Sequence, residues 1–332
     1  MSIFDINPDI KRAETLSSEF YTDEKYFHES KEKIFARTWQ MVSTIDEIEN
    51  IKPVNLLNTP ILLTKTDEKI NCFSNVCTHR GKILIENECQ ASGIRCGYHG
   101  RRFALDGKFL SMPEFETAEN FPSEKDNLPR IPCEIWNKFV FVSLNQIAKL
   151  GEFLREVKNV NLENLKFVSS KDYEVKAHWA LYCENYLEGF HVPFVHKSLN
   201  EVIDYGTYTT EVFRYSSLQK AFDNQGSVAA HYFFIFPNLM LNFYPWGLSV
   251  NIVKPIETDL TQVSYLTFVA DESKLNYGAG ADLETVEFED QTVVESVQKG
   301  IKSRFYDKGR YSPTREKGTH HFHRLIAEFM NL

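Results

Sequence analysis

The spacing of apolar residues changes along the chain, and the changes mark out its expected parts. Residues 23–37 place Tyr26, Phe27, Ile34 and Phe35 near a helical repeat, with Trp39 closing the stretch, which predicts an amphipathic helix. From about residue 40 to 145 the pattern becomes short β-rich runs, at 60–64, 70–75 and 138–144, separated by turn residues such as Asp106-Gly107. That pattern predicts an all-β unit. Residues 150–166 read as helical again. Four apolar runs follow, at 232–236, 239–243, 248–253 and 263–269, punctuated by Pro237-Asn238, Pro245-Trp246-Gly247 and Pro255, and they predict an antiparallel meander. Helices are expected over 179–190 and 286–305. The fold class is therefore α+β. With no repeat, low-complexity tract or Gly/Ser linker, the pattern changes alone give a helical segment 1–37 that packs on the last domain, an all-β domain 38–148 and an α+β domain 149–332.

Composition adds limits to this picture. A chain that is 42% hydrophobic, 14% aromatic and 25% charged is that of a soluble globular protein, and its 332 residues suit two domains. A net charge of −9 with no Lys/Arg block argues against nucleic acid as a partner. Residues 1–10 lack a basic-then-apolar signal, and no apolar run approaches the ~18 residues of a membrane span, so no membrane contact and a cytoplasmic location are expected. In that reducing compartment the six unevenly spaced cysteines read as metal ligands and buried thiols.

Four residues stand out first. Cys77-Thr78-His79 and Cys96-Gly97-Tyr98-His99 form C-x-H-x16-C-x2-H, and each half offers one thiolate and one imidazole to a single point. Two Cys on one iron and two His on the other is the ligand set of a Rieske [2Fe–2S] cluster. Gly81, Gly97 and Gly100 lie beside these ligands and let backbone N–H groups approach the sulfurs, which helps set the reduction potential. Structural zinc also accepts Cys₂His₂, but its usual C-x2-C and H-x3-5-H halves differ from a C-x-H start. Cys72, Cys89 and Cys133 read as core or half-buried thiols.

A second group lies further on. His191 and His196 are H-x4-H at the end of the helix predicted over 179–190, and Pro193 disfavours helix at Val192. The helix is expected to break between the two histidines and bend both imidazoles onto one metal. Without a third ligand such a pair reads as core filling. Asp290 supplies that ligand, in the middle of an arc formed by Val286, Val293, Val294, Val297, Ile301 and Phe305. A carboxylate centred on an apolar face calls for a cation or a shifted pKa, and Glu289 sits at the edge of the stripe. Two His and one carboxylate make the facial triad of Fe(II) oxygenases. The bland alternative for Asp290 is a helix cap.

The stretches 75–81 and 96–100 resemble the Rieske motif of the ring-hydroxylating oxygenase α-subunits, and 184–196 with Glu289-Asp290 resemble the mononuclear iron motif of the same family. Gly97 and Arg101 replace the Pro and Trp common in relatives. The resemblance implies a helix-grip, START-like catalytic domain beside the Rieske domain, in a head-to-tail homotrimer. It implies electrons from NAD(P)H through a separate reductase, with or without a ferredoxin, and no G-x-G-x-x-G fingerprint occurs in this chain. Glu188 matches the carboxylate that bridges the first iron histidine to a cluster histidine of a neighbouring subunit, the position of His99 here, and Asn185 matches a residue near the iron. Glu in place of the commoner Asp at 188, and the tail 309–313 with His320, His321 and His323, are similar to the choline monooxygenase and carnitine oxygenase branch. Successive histidines cannot share one helix face, so the tail histidines read as parts of a packed terminal helix. The expected reaction is monooxygenation of a quaternary ammonium compound next to nitrogen, using O₂. Phe190, Phe234, Phe243, Tyr244 and Trp246 are available for an aromatic cage, although core packing also accounts for them. The alternatives are aromatic-ring dioxygenation and, in another class, a Rieske electron carrier without oxygenase activity.

Overall fold

The computed structural model describes residues 4–67, 69–160, 162–275, 278–281 and 283–332. Contacts divide the chain into two compact units, one of Ala36–Leu150 and one of Met1–Phe35 with Gly151–Leu332. The α+β class holds: the first unit is built on small antiparallel sheets and the second on one large antiparallel sheet with helices.

In the unit Ala36–Leu150, strands Ile51–Leu56, Thr59–Thr66, Lys69–Ser74 and Arg130–Ile131 form a four-stranded sheet. Both faces of Thr59–Thr66 are buried. Strand alternation sends Leu62 to a cluster with Ile51, Phe73, Ile94 and Phe103, and sends Ile61 and Leu63 to another with Ile48, Val140 and Val142. Cys77 and Cys96 belong to the first cluster, so the candidate ligand loops rest on the hydrophobic core. Cys72 is buried and Cys89 and Cys133 are half-buried, all three free, as expected of thiols that pack as small hydrophobes.

In the other unit seven strands run in the spatial order Lys166–Val175, Leu260–Val269, Gly247–Glu257, Leu239–Tyr244, Val228–Ile235, Ser216–Phe222, Thr209–Val212. The meander predicted from the apolar runs is present, with hairpin neighbours paired antiparallel throughout. Several expectations need correction. Among its described residues the stretch 150–166 is α-helical over Leu150–Phe153 alone and continues as turns, and Lys166 begins a strand that pairs with Val269. The expected 23–37 helix is an α-helix Glu24–Ser30 that runs into a π-helical turn Lys31–Phe35, and a separate short helix Ser18–Thr22 precedes it. Asp23 ends Ser18–Thr22 and caps Glu24–Ser30, accepting from the Lys25 N–H, which separates the two helices.

The long helix is Leu283–Ile301, and its buried stripe is Val294, Gln298 and Ile301. Val297 and Phe305, which the sequence pattern placed on the inner arc, are 43% and 93% exposed. The stripe that does face inward steps through Val286, Asp290, Val294 and Gln298, and the buried Gln298 is matched to a polar partner: its Oε1 accepts the His178 N–H at 2.8 Å. The C-terminal helix Lys317–Met330 buries Phe322 against Trp179, Phe234 and Phe236. Its histidines pack separately, His320 on the Asn7 carbonyl and His323 on the Tyr311 hydroxyl.

Phe322→Ala removes an aromatic ring that is 1% exposed and is expected to cost about 3–5 kcal/mol. Urea unfolding followed by the fluorescence of the adjacent Trp179 measures it.

Candidate active site

The two halves of the first constellation are copies of one loop. Cys77 N–H donates to the Lys82 carbonyl at 2.8 Å and Gly81 N–H to the Cys77 carbonyl at 3.0 Å. Cys96 N–H donates to Arg101 at 2.8 Å and Gly100 N–H to Cys96 at 3.0 Å. Gly81 and Gly100 close these turns at φ +73° and +75°, which L side chains rarely adopt. The loops point two thiols at each other and bring the rings of His79 and His99 to 4.9 Å between centroids. Backbone N–H groups of His79 and Arg80 aim at the Cys77 sulfur, and those of Tyr98 and His99 at the Cys96 sulfur. Burial opposes ionisation of both thiols. At Cys96 the N–H groups, the Cys77 thiol and Lys82 outweigh it and hold the thiol below its ordinary value, while burial keeps Cys77 above. The Nδ1 of His99 is buried without a hydrogen-bond partner, which an electron-pair acceptor between the loops would satisfy. Two thiols, two imidazoles, inward N–H groups and one orphaned ring nitrogen fit a two-iron cluster.

Arg101 is 2% exposed, pairs with Asp126 and lies over the rings of Phe103, Phe109 and Phe121 at 5.8, 4.9 and 5.6 Å. The buried guanidinium thus sits in an aromatic setting, its planar face against the rings.

The second constellation joins two helical segments. The helix Trp179–Tyr186 ends ahead of the first histidine, and His191 instead caps a short helix Val192–Val195 with Pro193 in its first turn. The break therefore precedes His191 and does not lie between the histidines. Proline suits the first turn of a helix, where its missing N–H has no intrahelical partner to lose. His191 and His196 flank that single turn, their rings 5.0 Å apart and 77° to each other.

Asp290 lies eight residues into its helix, so it does not cap it. Its Oδ1 is 3.0 Å from His196 Nε2, 3.5 Å from His191 Nε2 and 2.6 Å from the donating Asn185 Nδ2. Ligand atoms of His191, His196 and Asp290 all fall within 4.8 Å of one another. The outward nitrogens have carboxylate partners: His191 Nδ1 faces Glu188 Oε1 at 2.6 Å and His196 Nδ1 faces Glu289 Oε2 at 2.7 Å. Glu188 also accepts the Phe190 and His191 N–H groups. Burial would lower the His196 pKa, but the hydrogen bonds and charges of Asp290 and Glu289 prevail and raise it. This donor set, with both Nε2 atoms turned onto one carboxylate, fits a divalent metal.

A cavity beside this group is lined by Tyr182, Tyr186, Tyr208, Tyr232 and Tyr244, with Asn242, Asn251 and Glu287. Of the five aromatic residues considered from the sequence, only Tyr244 is among the lining residues. Phe234 and Trp246 are buried at 3% and 1% exposure, Phe243 packs on Phe233, and Phe190 is exposed. The missed residues had a signal. Asn242 and Asn251 interrupt apolar strands, and Tyr182 and Tyr186 share a helix face one turn apart. Glu287 accepts hydrogen bonds from the hydroxyls of both Tyr182 and Tyr265. Burial, with the charge of Asp290 added, pushes its carboxyl up to about 7.

The model of the ring-hydroxylating α-subunit catalytic domain matches residues 162–231 and 208–332, and that of the Rieske [2Fe–2S] domain matches 38–122. The chain is 29% identical to the chloroplastic choline monooxygenase of Arabidopsis thaliana, over 99% of this chain and 86% of that one. It is 30% identical to the carnitine monooxygenase oxygenase subunit of Escherichia coli K12, over 98% and 96%. The quaternary ammonium Rieske monooxygenase CntA, solved with L-carnitine, superposes with a TM-score of 0.82 at 26% identity, covering 97% of each chain. The Rieske domain match sets the zinc reading aside, and the His191, His196 and Asp290 cluster is what a simple electron carrier leaves unexplained.

Glu289→Gln removes the carboxylate that holds His196 Nδ1. It is expected to weaken divalent-metal binding at this cluster by about 10–100-fold, read by competition with a chelator.

Proposed function

The chain belongs to the ring-hydroxylating oxygenase α-subunit family, with a Rieske domain ahead of the catalytic domain, and on that premise we propose that it oxidises a small quaternary ammonium compound at a carbon next to nitrogen. In this reading the unit Ala36–Leu150 carries the cluster on Cys77, His79, Cys96 and His99, and the other unit holds Fe(II) on His191, His196 and Asp290. The observation that carries it is the convergence of three ligand atoms within 4.8 Å, with both outward histidine nitrogens held by carboxylates.

When bound, the cluster supplies single electrons and the iron activates dioxygen. The protein's part is position and environment. Glu188 and Glu289 hold the Nδ1 protons of His191 and His196, so the Nε2 lone pairs point inward. Asn185 fixes the Asp290 carboxylate by donating to Oδ1. The tyrosine walls offer ring faces to an alkylammonium head, which agrees with choline and carnitine in the names of the relatives.

The reading extends to a homotrimer in which Glu188 links His191 to a cluster ligand of a neighbouring copy, and to a separate NAD(P)H-fed reductase, with or without a ferredoxin. No helix among the described residues is long and apolar enough to cross a membrane. Six free cysteines suit a reducing cytoplasm, where we place the protein.

Wild-type protein is expected to hold about three irons and two sulfides per chain, and Asp290→Ala about two irons with an unchanged Rieske signal in electron paramagnetic resonance. Two irons in wild type would return the reading to an electron carrier. Glu188→Gln is expected to keep both metal contents while turnover with the reductase falls by about 10–100-fold. Normal turnover in that variant would remove the bridging role.

A further inference from the structure

The charge of the cavity narrows the substrate beyond the class proposed above. Its acidic lining residues are Glu188, Glu287 and Asp290. Glu188 is engaged by His191, and Asp290 by the two histidines and Asn185. Among the described residues Glu287 is the acid in no ion pair: its hydrogen bonds come from two neutral tyrosines, and His196, whose charge reaches it, is already held by Asp290 and Glu289. Among the described residues no Lys or Arg lines the cavity, and none of residues 1–3, 68, 161, 276, 277 and 282 is Lys or Arg.

Resting on the quaternary ammonium reading, we infer that Glu287 is the counter-charge of the substrate's ammonium and that the cavity selects cations without a carboxylate over zwitterions. A substrate carboxylate would enter beside Glu287 with no Lys or Arg among the described lining residues to pair with it, and an unpaired buried charge costs several kcal/mol. A trimethylammonium group has no N–H to donate, so its approach leaves the Tyr182 and Tyr265 hydrogen bonds to Glu287 intact. The tyrosine faces take the methyl groups while the carboxylate supplies the charge.

The placement also bears on which carbon reacts. Glu287 and Asp290 are three positions apart on the helix Leu283–Ile301, on one face and roughly 4.5 Å apart along its axis. An ammonium held at Glu287 therefore lies within about one turn of the metal-binding carboxylate. The carbons attached to nitrogen are the ones brought nearest.

The test is anaerobic calorimetric titration of the metal-loaded protein with choline, L-carnitine, γ-butyrobetaine and 3,3-dimethylbutan-1-ol, the uncharged carbon analogue of choline. Choline is expected to bind at least about tenfold tighter than either zwitterion. Glu287→Gln is expected to weaken choline by about tenfold or more while changing the uncharged analogue by less than about twofold. Tyr265→Phe, which keeps the carboxylate and removes one of its donors, gives a smaller loss for choline and guards against misfolding of the first variant; metal content checks both. Equal or tighter binding of a zwitterion, or wild-type choline affinity in Glu287→Gln, overturns the inference and leaves the quaternary ammonium reading standing. If none of the three trimethylammonium compounds binds, that reading falls and takes the inference with it.

Discussion

One oxygen atom organises the catalytic unit. Oδ1 of Asp290 is the point on which His191, His196 and Asn185 converge, and a carboxylate there has to be held in place against the cost of partial burial. The holding is done at some distance. Gln298, two turns further along the same helix, accepts the His178 N–H, and Glu295 accepts the Lys176 N–H at 3.0 Å. Gln291 donates to the Glu174 carbonyl at 2.9 Å. These contacts tie the helix to the end of the strand Lys166–Val175 and to the start of the helix that carries Asn185. The axial position of Asp290 relative to Asn185 is thereby fixed before any metal arrives. Orphan N–H groups at that helix start would otherwise need water, so the polar side chains of a mostly apolar stripe have a structural reason to be there.

The cluster loops solve a different problem with the same economy of means. A thiol on a hydrophobic core resists ionisation, and each loop answers by turning backbone N–H groups onto its sulfur. The turn that does this needs a left-handed residue four positions after each cysteine, which is where Gly81 and Gly100 stand. The spacing C-x-H in one loop and C-x2-H in the other sits on the same backbone turn, so the extra residue shifts only which position carries the imidazole.

These differences explain what the residue pattern could reveal. The two candidate clusters could be picked out because coordination favours particular side chains at particular separations, and Cys77, His79, Cys96 and His99, and His191, His196 and Asp290, stand at such separations and are brought together in the fold. Strand runs were legible because burial on one or both faces writes itself as period two or as continuous apolar stretches. The exact break near His191 was not, since Pro193 signals either the end of one helix or the first turn of the next, and only the chain's path after Tyr186 decides. The arc on the long helix was misplaced for a related reason: Val297 and Phe305 are apolar yet exposed, while the polar Gln298 is buried because a backbone N–H awaits it. The cavity tyrosines come from one helix, a loop and two strands, and no linear spacing relates the helical pair to the other three.

The acids in and around the cavity differ in what balances them. Glu188 and Glu289 face imidazoles, so their charge is drawn toward the nitrogens that face away from the metal position. Asp290 is matched by the cation its ligand set calls for. Glu287 has only hydroxyl donors, and burial together with the charge of Asp290 raises its carboxyl toward neutrality. Hydrogen bonds from Tyr182 and Tyr265 stabilise the charged form but do not balance its charge. A site arranged in this way is incomplete until something positive and without hydrogen-bond demands of its own enters between the tyrosine rings, and an alkylammonium ion is the small organic group that meets both conditions.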